Sequence, residues 1–527
     1  MDRTTTTRAA TRPPATTAAG PAARRDTTTP HAPPAPHAPP APDAAPAALR
    51  ERAARVLAAN WTGTSTVPSR ELYPHQWSWD SAFIAIGSRH ISPLRAQLEL
   101  ETLLSAQWAD GRVPHIVFNP SVPLDAYFPS PDFWRSTTAG RAAGAPGAVQ
   151  TSGIVQPPVH ALAAWLVHLA DPGLSRARSF LPRLHPRLAA WHRFLLHHRD
   201  LGGAGLAAVV HPWEQGMDNS PCWDAPLSRV APARPRTFRR ADLDHGSPQD
   251  RPTDLDYGRY VRLAADYRDA GYGAGAGADA AIRAGGFAVE DPSFNALLIA
   301  SEHALARITG ELGVPATARH ERAERLTRVL VERLWDPADG IFRCRDLLAG
   351  GTRTHAAEGS PAAGGALVAE RGVTGLIPLV LPGLPRDIAA ALVRTACGPH
   401  FELGGRARLV PSHDLLSPAF DPQRYWRGPA WFNTNWLLER GLRLHGERER
   451  ADLLRAALLD TAVTSEFAEY VDPYTGAGCG ARGFSWSAAL ALDLSVHGDV
   501  DVGAHGDGGV HRDTTAGPGS DEGARND

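Results

Sequence analysis

Five stretches of the chain place carboxylates, amides and large aromatic rings side by side. They are Tyr73-Pro-His-Gln-Trp-Ser-Trp-Asp80, Gln107-Trp-Ala-Asp-Gly-Arg-Val-Pro-His115, His211-Pro-Trp-Glu-Gln-Gly-Met-Asp-Asn-Ser-Pro-Cys-Trp-Asp224, Arg424-Tyr-Trp-Arg-Gly-Pro-Ala-Trp431 and Glu466-Phe-Ala-Glu-Tyr-Val-Asp472, the last followed by Gly483-Phe-Ser-Trp-Ser487. The 14 tryptophans fall mainly in these stretches. A sugar presents flat C–H faces edged by hydroxyls, so stacking on Trp or Tyr beside Asp, Gln, Asn and Arg suits it. Cleaving a glycosidic bond needs two carboxyl groups that flank it. One must stay protonated near neutral pH, which burial or a neighbouring charge achieves. Asp218, in a Gly-Met-Asp-Asn-Ser turn between Trp213 and Trp223 with Glu214 close in sequence, has such a setting. Glu469 ends a helix-like segment before Tyr470 and a Gly-rich loop.

Plainer roles compete for the same residues. Asp218-Asn219-Ser220 also reads as an Asx turn, and Asp80, at the start of an apolar helical run, as an N-cap. Glu466 and Glu469 lie three apart on one helix face, and either could serve as base. His75, His115, His211 and His413 lack metal-ligand spacing and read as structural or hydrogen-bonding groups. The four cysteines, Cys222, Cys344, Cys397 and Cys479, form no CxxC, so neither a zinc cluster nor a disulfide framework is expected. Gly273–Ala278 fits the dinucleotide-binding glycine pattern only loosely and follows a helix-like segment, so it reads as a loop. The chain contains no lysine, which removes Schiff-base, pyridoxal-phosphate and P-loop chemistry. No cofactor or metal is expected.

Residues 1–46 are rich in Ala, Pro and Thr and read as disordered, as does the Gly- and Asp-rich tail 497–527; residues 47–496 form the candidate domain. A net charge of −2 gives no electrostatic case for nucleic acid or an anionic membrane, and no apolar run is long enough to span a bilayer. Without an apolar signal core after the N-terminal basic residues, a cytoplasmic location is expected. The expected partner is a carbohydrate substrate, with no inference about oligomeric state.

The elements that must hold these residues are helices. Helical periodicity covers 49–60, 81–86, 93–107, 159–169, 184–197, 294–309, 316–335, 386–396, 430–445, 447–461 and 484–494, with 251–270 a further candidate. The stretch 341–348, before Gly350-Gly351, reads as a small hairpin. Ten to twelve helices without βαβ alternation exclude Rossmann and TIM-barrel folds; twelve in one closed pair of layers would make an (α/α)6 barrel. The long loops 113–156 and 218–256 would gather at one mouth and form a pocket. Arg234–Arg240 reads as a solvated loop that could also fold over that pocket and meet an anionic leaving group.

From about Asn60 to Leu494 the chain resembles the family 63-type glycoside hydrolases, especially the branch of bacterial mannosylglycerate and glucosylglycerate hydrolases. The HPWEQGMDNSPCWD, YWRGPAW and EYVDPYTG…FSWSA segments carry the resemblance. It implies an all-α (α/α)6 barrel and metal-free, inverting cleavage of an α-linked glucoside or mannoside. It also implies Asp218 as general acid and Glu469 as general base, with sugar contacts at Trp79, Asp80, Gln156, Trp213, Trp426 and Trp431. Tyr73, Trp77, Glu214, Asn219, Tyr425, Arg427 and Trp486 complete the candidate binding set. The long N-terminal segment, Cys222 and Cys479 depart from the family pattern, and neither cysteine is given a catalytic role. A sugar epimerase on the same barrel, working through histidines, and a glycan-binding protein without turnover are the competing expectations.

Overall fold

A computed structural model of the chain describes residues 44–235, 238–244, 248–273, 282–350 and 364–496. The expectations for residues 1–43, for the tail 497–527 and for most of the Gly273–Ala278 stretch lie outside the described residues. From Pro46 onward the described residues belong to one unit.

Among the described residues twelve longer helices follow the sequence periodicity: α1 (Ala44–Ala59), α2 (Ser78–Ser88), α3 (Pro93–Ser105), α4 (His160–Ala170), α5 (Phe180–His198), α6 (Asp254–Asp269), α7 (Pro292–Glu311), α8 (Thr317–Leu334), α9 (Arg386–Cys397), α10 (Phe432–Leu444), α11 (Arg448–Thr464) and α12 (Ser485–Val496). Several begin where the side chain before a proline can cap them. The Ser92 side chain accepts the Arg95 N–H at the start of α3, and Asp291 accepts that of Phe294 at the start of α7.

Two kinds of helix result. In α2, α10 and α12 nearly every residue is buried, polar ones included, whereas α8 buries only the stripe Ala323, Leu326, Thr327, Leu330 and Leu334. A helix buried all round belongs inside, and one with a single apolar stripe belongs outside. The contacts agree: α2 packs on α4, α4 on α7, α7 on the 3-10 turn Ile377–Val380, that turn on α10, α10 on α12, and α12 back on α2. Around this inner ring α3, α5, α8 and α11 pack on its members. The architecture is therefore the all-α, two-layered (α/α)6 barrel. At the α2–α12 contact, a β-carbon on Gly87 would stand 2.1 Å from the Ala489 carbonyl oxygen, so only glycine allows this approach.

The sixth inner position is the difference from the sequence reading. It is filled by two 3-10 turns, Val373–Gly375 and Ile377–Val380, too short and too interrupted by Gly375 and Pro378 to show periodicity. Conversely, α6 is a genuine helix but stands outside the ring, inserted with the long loop before it. The 341–348 stretch is not one local hairpin. Ile341–Phe342 pairs with Trp335–Asp336, while Arg345–Asp346 joins Val289–Glu290 and Ala366–Leu367.

Short strands pin the loops where inner helices begin. Gln76–Trp77, paired with Ile116–Val117, runs into α2; Ala430–Trp431, paired with Tyr470–Val471, runs into α10. Among the described residues no helix is long and apolar enough to cross a membrane.

Candidate active site

A cavity with about 780 Å³ of empty volume, open at its mouth, lies where the inner helices start. Trp79 and Asp80 reach it from the first turn of α2, Gln156 from the approach to α4, Tyr425 and Trp426 from the approach to α10, and Trp486 from the first turn of α12. Asp80 is not the N-cap of α2; Trp77 occupies that position and Asp80 faces the cavity. Its carboxyl is pushed far above the usual range by burial. Gln156 is oriented by its Oε1, which accepts the Trp79 main-chain N–H at 3.2 Å. Trp79 meets Trp486 edge-on at 5.5 Å, so these walls are mutually braced.

Asp218 lines the same cavity on a tightly held turn. Gly216 before it has φ +80° and lies against the Trp79 ring, and Asn219 after it has φ +71°, a left-handed conformation that Asn tolerates better than most residues. The Met217 carbonyl accepts from Trp223 Nε1 at 2.8 Å, the Asn219 carbonyl from Arg427 Nη1 at 3.3 Å, and Asn219 N–H donates to the Tyr260 hydroxyl at 3.0 Å. Below the turn, Gln215 accepts the Met217 N–H at 2.9 Å and donates to buried Asp291 at 3.2 Å. Burial pushes the Asp218 carboxyl up to about 7, with Arg251 acting in the opposite direction.

Glu469 faces the cavity from the strand side. The α11 helix ends at Thr464, and Glu466 and Phe467 follow in left-handed conformations (φ +57° and +52°) that reverse the chain. Glu466 and Glu469 therefore do not share a helix face: Glu466 is exposed and Glu469 is buried. Tyr73 donates to Glu469 Oε1 at 2.9 Å, Ala481 N–H donates to Oε2 at 3.1 Å, and Arg251 Nη2 stands 3.9 Å from Oε2. Burial raises the Glu469 carboxyl, while Arg251 and these two donors oppose the rise.

Eleven of the residues singled out from sequence meet in this cavity: Tyr73, Trp77, Trp79, Asp80, Gln156, Trp213, Asp218, Tyr425, Trp426, Glu469 and Trp486. Four lie behind its wall. Glu214 is fully buried, with Oε1 2.6 Å from Arg199 Nη2 and Oε2 accepting the Val210 N–H at 2.8 Å, so its charge is consumed in holding the loop. Arg427 pairs with Asp224 at 3.0 and 2.7 Å and braces the Asp218 turn. Asn219 shapes that turn. Trp431 stacks face to face on Trp426 at 3.7 Å and supports it from outside.

Other residues line the cavity without having been singled out. Arg251, Tyr127, Asp242 and Tyr257 come from the two long loops and α6. His115, read from sequence as structural or hydrogen-bonding, lines the cavity parallel to Trp213, and burial pushes its imidazole down to about 3. In the Arg-rich loop, Arg240 is spent on Asp242, Asp254 and the Tyr257 ring rather than aimed into the cavity. The four cysteines are free, and among the described residues no cluster of His, Cys, Asp or Glu has the geometry of a metal site.

A barrel of paired helices with four carboxyls, Asp80, Asp218, Asp242 and Glu469, among aromatic rings in one cavity fits a sugar-processing enzyme, and comparison with known proteins agrees. Residues 73–487 match the family model described as the mannosylglycerate hydrolase MGH1-like glycoside hydrolase domain. Mannosylglycerate hydrolase of Rubrobacter radiotolerans is 40% identical over 455 residues, covering 85% of this chain and 96% of that protein. Glucosylglycerate hydrolase of Mycolicibacterium hassiacum is 38% identical over 456 residues, covering 84% of this chain and 97% of that protein. The crystal structure of the GH63 mannosylglycerate hydrolase from Thermus thermophilus in complex with Tris and D-glycerate superposes with a TM-score of 0.74 at 39% identity, covering 85% of this chain and 100% of that one. The chain belongs to the MGH1-like glycoside hydrolases of family GH63, and it is a glycosidase.

Proposed function

We propose that this glycosidase hydrolyses an α-linked glucoside or mannoside of a small hydroxy acid such as glycerate, with inversion, using Asp218 as general acid and Glu469 as general base. The observation that carries the assignment is the difference between two carboxyls in one cavity. Asp218, with no hydrogen-bond donor on its carboxylate among the described side chains, is pushed up to about 7 and can hold a proton near neutral pH. Glu469 receives Tyr73 and Ala481 and has Arg251 beside it, and these groups favour its anion against the burial that raises it.

In the reaction Asp218 gives its proton to the glycosidic oxygen as the bond to the anomeric carbon breaks. Glu469 takes a proton from a water that attacks the same carbon from the opposite face. The products are the free sugar of inverted configuration and the alcohol; Glu469 leaves the cycle protonated and Asp218 ionised, and exchange with solvent resets both. Tyr73, Trp77, Trp79, Asp80, Gln156, Trp213, Tyr425, Trp426 and Trp486 form the wall that binds the sugar. Arg251 is the cation among the lining residues and is the group available to a carboxylate on the leaving group. The names of the relatives, which act on mannosylglycerate and glucosylglycerate, support this class of leaving group. An epimerase would need a histidine that titrates near working pH, and His115, the histidine at the cavity, is held neutral by burial.

NMR of a fresh reaction tests the stereochemistry: an α-glycoside should release the β-anomer first. Asp218→Asn should lower turnover by about 10²-fold or more on a poor leaving group and much less on an activated one. Glu469→Gln should affect both alike, because the water needs activation in either case. Initial release of the α-anomer, or near-normal turnover in either variant, would overturn the assignment.

A further inference from the structure

We propose that Tyr260 is a positioning residue for the general acid, a clamp that holds both ends of the segment carrying Asp218. The inference rests on Asp218 being that acid. The segment runs from His211 to Asn219. At its start, His211 Nε2 donates to the main-chain carbonyl of Tyr260 at 2.9 Å, while His211 Nδ1 accepts the Trp213 N–H at 3.0 Å. This pair of bonds requires neutral imidazole with its proton on Nε2, and burial keeps it neutral by pushing its titration down to about 3. At the other end, the Tyr260 hydroxyl accepts the Asn219 N–H at 3.0 Å. One residue of α6 thus grips the segment twice, once through its main chain and once through its phenol.

The phenol bond matters because of where it falls. Asn219 N–H belongs to the peptide that joins it to Asp218, so its direction sets how the Asp218 carboxyl is aimed. Rotation of that peptide would carry Asn219 out of its φ of +71° and swing the carboxyl along the cavity wall. The Asn219 amide nitrogen, buried without a hydrogen-bond partner, adds no anchor of its own to the turn. The carbonyls of Met217 and Asn219 are held by Trp223 and Arg427, which leaves the 218–219 peptide as the joint that Tyr260 secures. The Tyr260 ring meets Trp213 at 5.8 Å, so a phenylalanine would keep that wall and remove only the acceptor. This also accounts for an inserted helix outside the barrel ring: α6 delivers Tyr260 to the back of the acid turn.

Tyr260→Phe separates a clamp on the acid from a general structural role. Turnover of a glycoside with a poor leaving group should fall about 10-fold or more, since small misplacements of a reacting group cost that much, with KM little changed and the melting curve still cooperative. An activated dinitrophenyl α-glycoside, which needs little protonation, should lose about twofold or less. In an Asp218→Asn background the same substitution should cost nothing further, because the clamp acts only through that carboxyl. His211→Phe, which releases the other end, should show the same dependence on leaving group and serves if Tyr260→Phe does not fold. Equal loss on both substrates, no loss, or full additivity with Asp218→Asn would overturn the clamp. If Asp218→Asn itself shows no leaving-group dependence, the assignment of the acid fails instead.

Discussion

Replacing Arg251 by methionine removes the cation beside the two carboxyls while roughly keeping its length. Arg251 Nη2 lies 3.9 Å from Glu469 Oε2, and the two side chains are 6% and 2% exposed, so little water screens the pair. Two opposite charges at that separation attract by about 4 kcal/mol at an effective dielectric constant of about 20. At about 1.4 kcal/mol per pH unit, loss of even half of this attraction moves a titration by more than a pH unit. The sign follows from the roles. Arg251 stabilises ionised Glu469, so its removal raises that carboxyl, and the base is then ionised only at higher pH; the acid limb of kcat/KM moves up. Arg251 also opposes the rise of Asp218, so without it the acid keeps its proton to higher pH and the alkaline limb moves up too. The bell should shift as a whole toward alkaline pH by roughly one to two pH units. The assay is kcat/KM against pH with a neutral nitrophenyl α-glycoside, so that a lost contact to a leaving-group carboxylate does not enter. An acid limb that stays in place or moves down would refute the pairing of Arg251 with the base.

Three further outcomes follow from the same geometry. Gly216→Ala places a methyl 2.6 Å from the Trp79 ring at a residue with φ +80°, so Trp79 must move; sugar affinity should weaken and activity fall about 10-fold or more, read as a raised KM, and unchanged kinetics would mean that Trp79 does not contact the sugar. Glu214→Gln leaves the Arg199 charge unpaired in the interior and should destabilise the fold by about 3–5 kcal/mol, seen by denaturant unfolding, while the folded variant keeps the parent's leaving-group dependence; a changed dependence would return Glu214 to the chemistry. Removing residues 1–43, whose composition offers little to bury, should leave melting temperature and turnover unchanged, and a clear loss of either would show that the segment contributes to the folded enzyme.

The barrel was legible in sequence because eleven of its helices carry a helical apolar pattern, a few of them opened by a proline after a capping side chain. The sixth inner position was not, since Val373–Gly375 and Ile377–Val380 are single turns packed by their neighbours rather than by their own periodicity. At the site, the tryptophan-rich stretches pointed to the wall because aromatic rings beside carboxyls are rare away from a ligand. The same density also picked out Glu214, Asn219, Arg427 and Trp431, which lie behind the cavity wall: a motif marks both the residues that line a cavity and those that hold them, and packing separates the two. Arg251, Asp242 and Tyr127 were passed over for the opposite reason. They sit in long loops without period, and what places Arg251 next to Glu469 is a contact between residues more than two hundred positions apart.

Asp218 and Glu469 share one cavity, and burial alone would push both toward their neutral forms. A pair that shifted together would be useless, because the reaction needs a proton on one side of the bond and a lone pair on the other. The barrel breaks the symmetry with local donors. Around Glu469 the chain supplies an N–H from Ala481, a hydroxyl from Tyr73 and, through Tyr73 again, the guanidinium of Arg251, which donates to that hydroxyl at 3.1 Å. Around Asp218 the neighbouring side chains turn away from the carboxyl: Trp223 and Arg427 bind main-chain carbonyls of the turn and Tyr260 receives an N–H, while the residue's own main-chain N–H and the charge of Arg251 oppose the effect of burial. The side-chain hydrogen bonds around the Asp218 turn therefore fix position, and those on Glu469 also stabilise charge. On the proposed assignment, the division of labour between acid and base follows from where each side-chain donor points, more than from how deeply either carboxyl is buried.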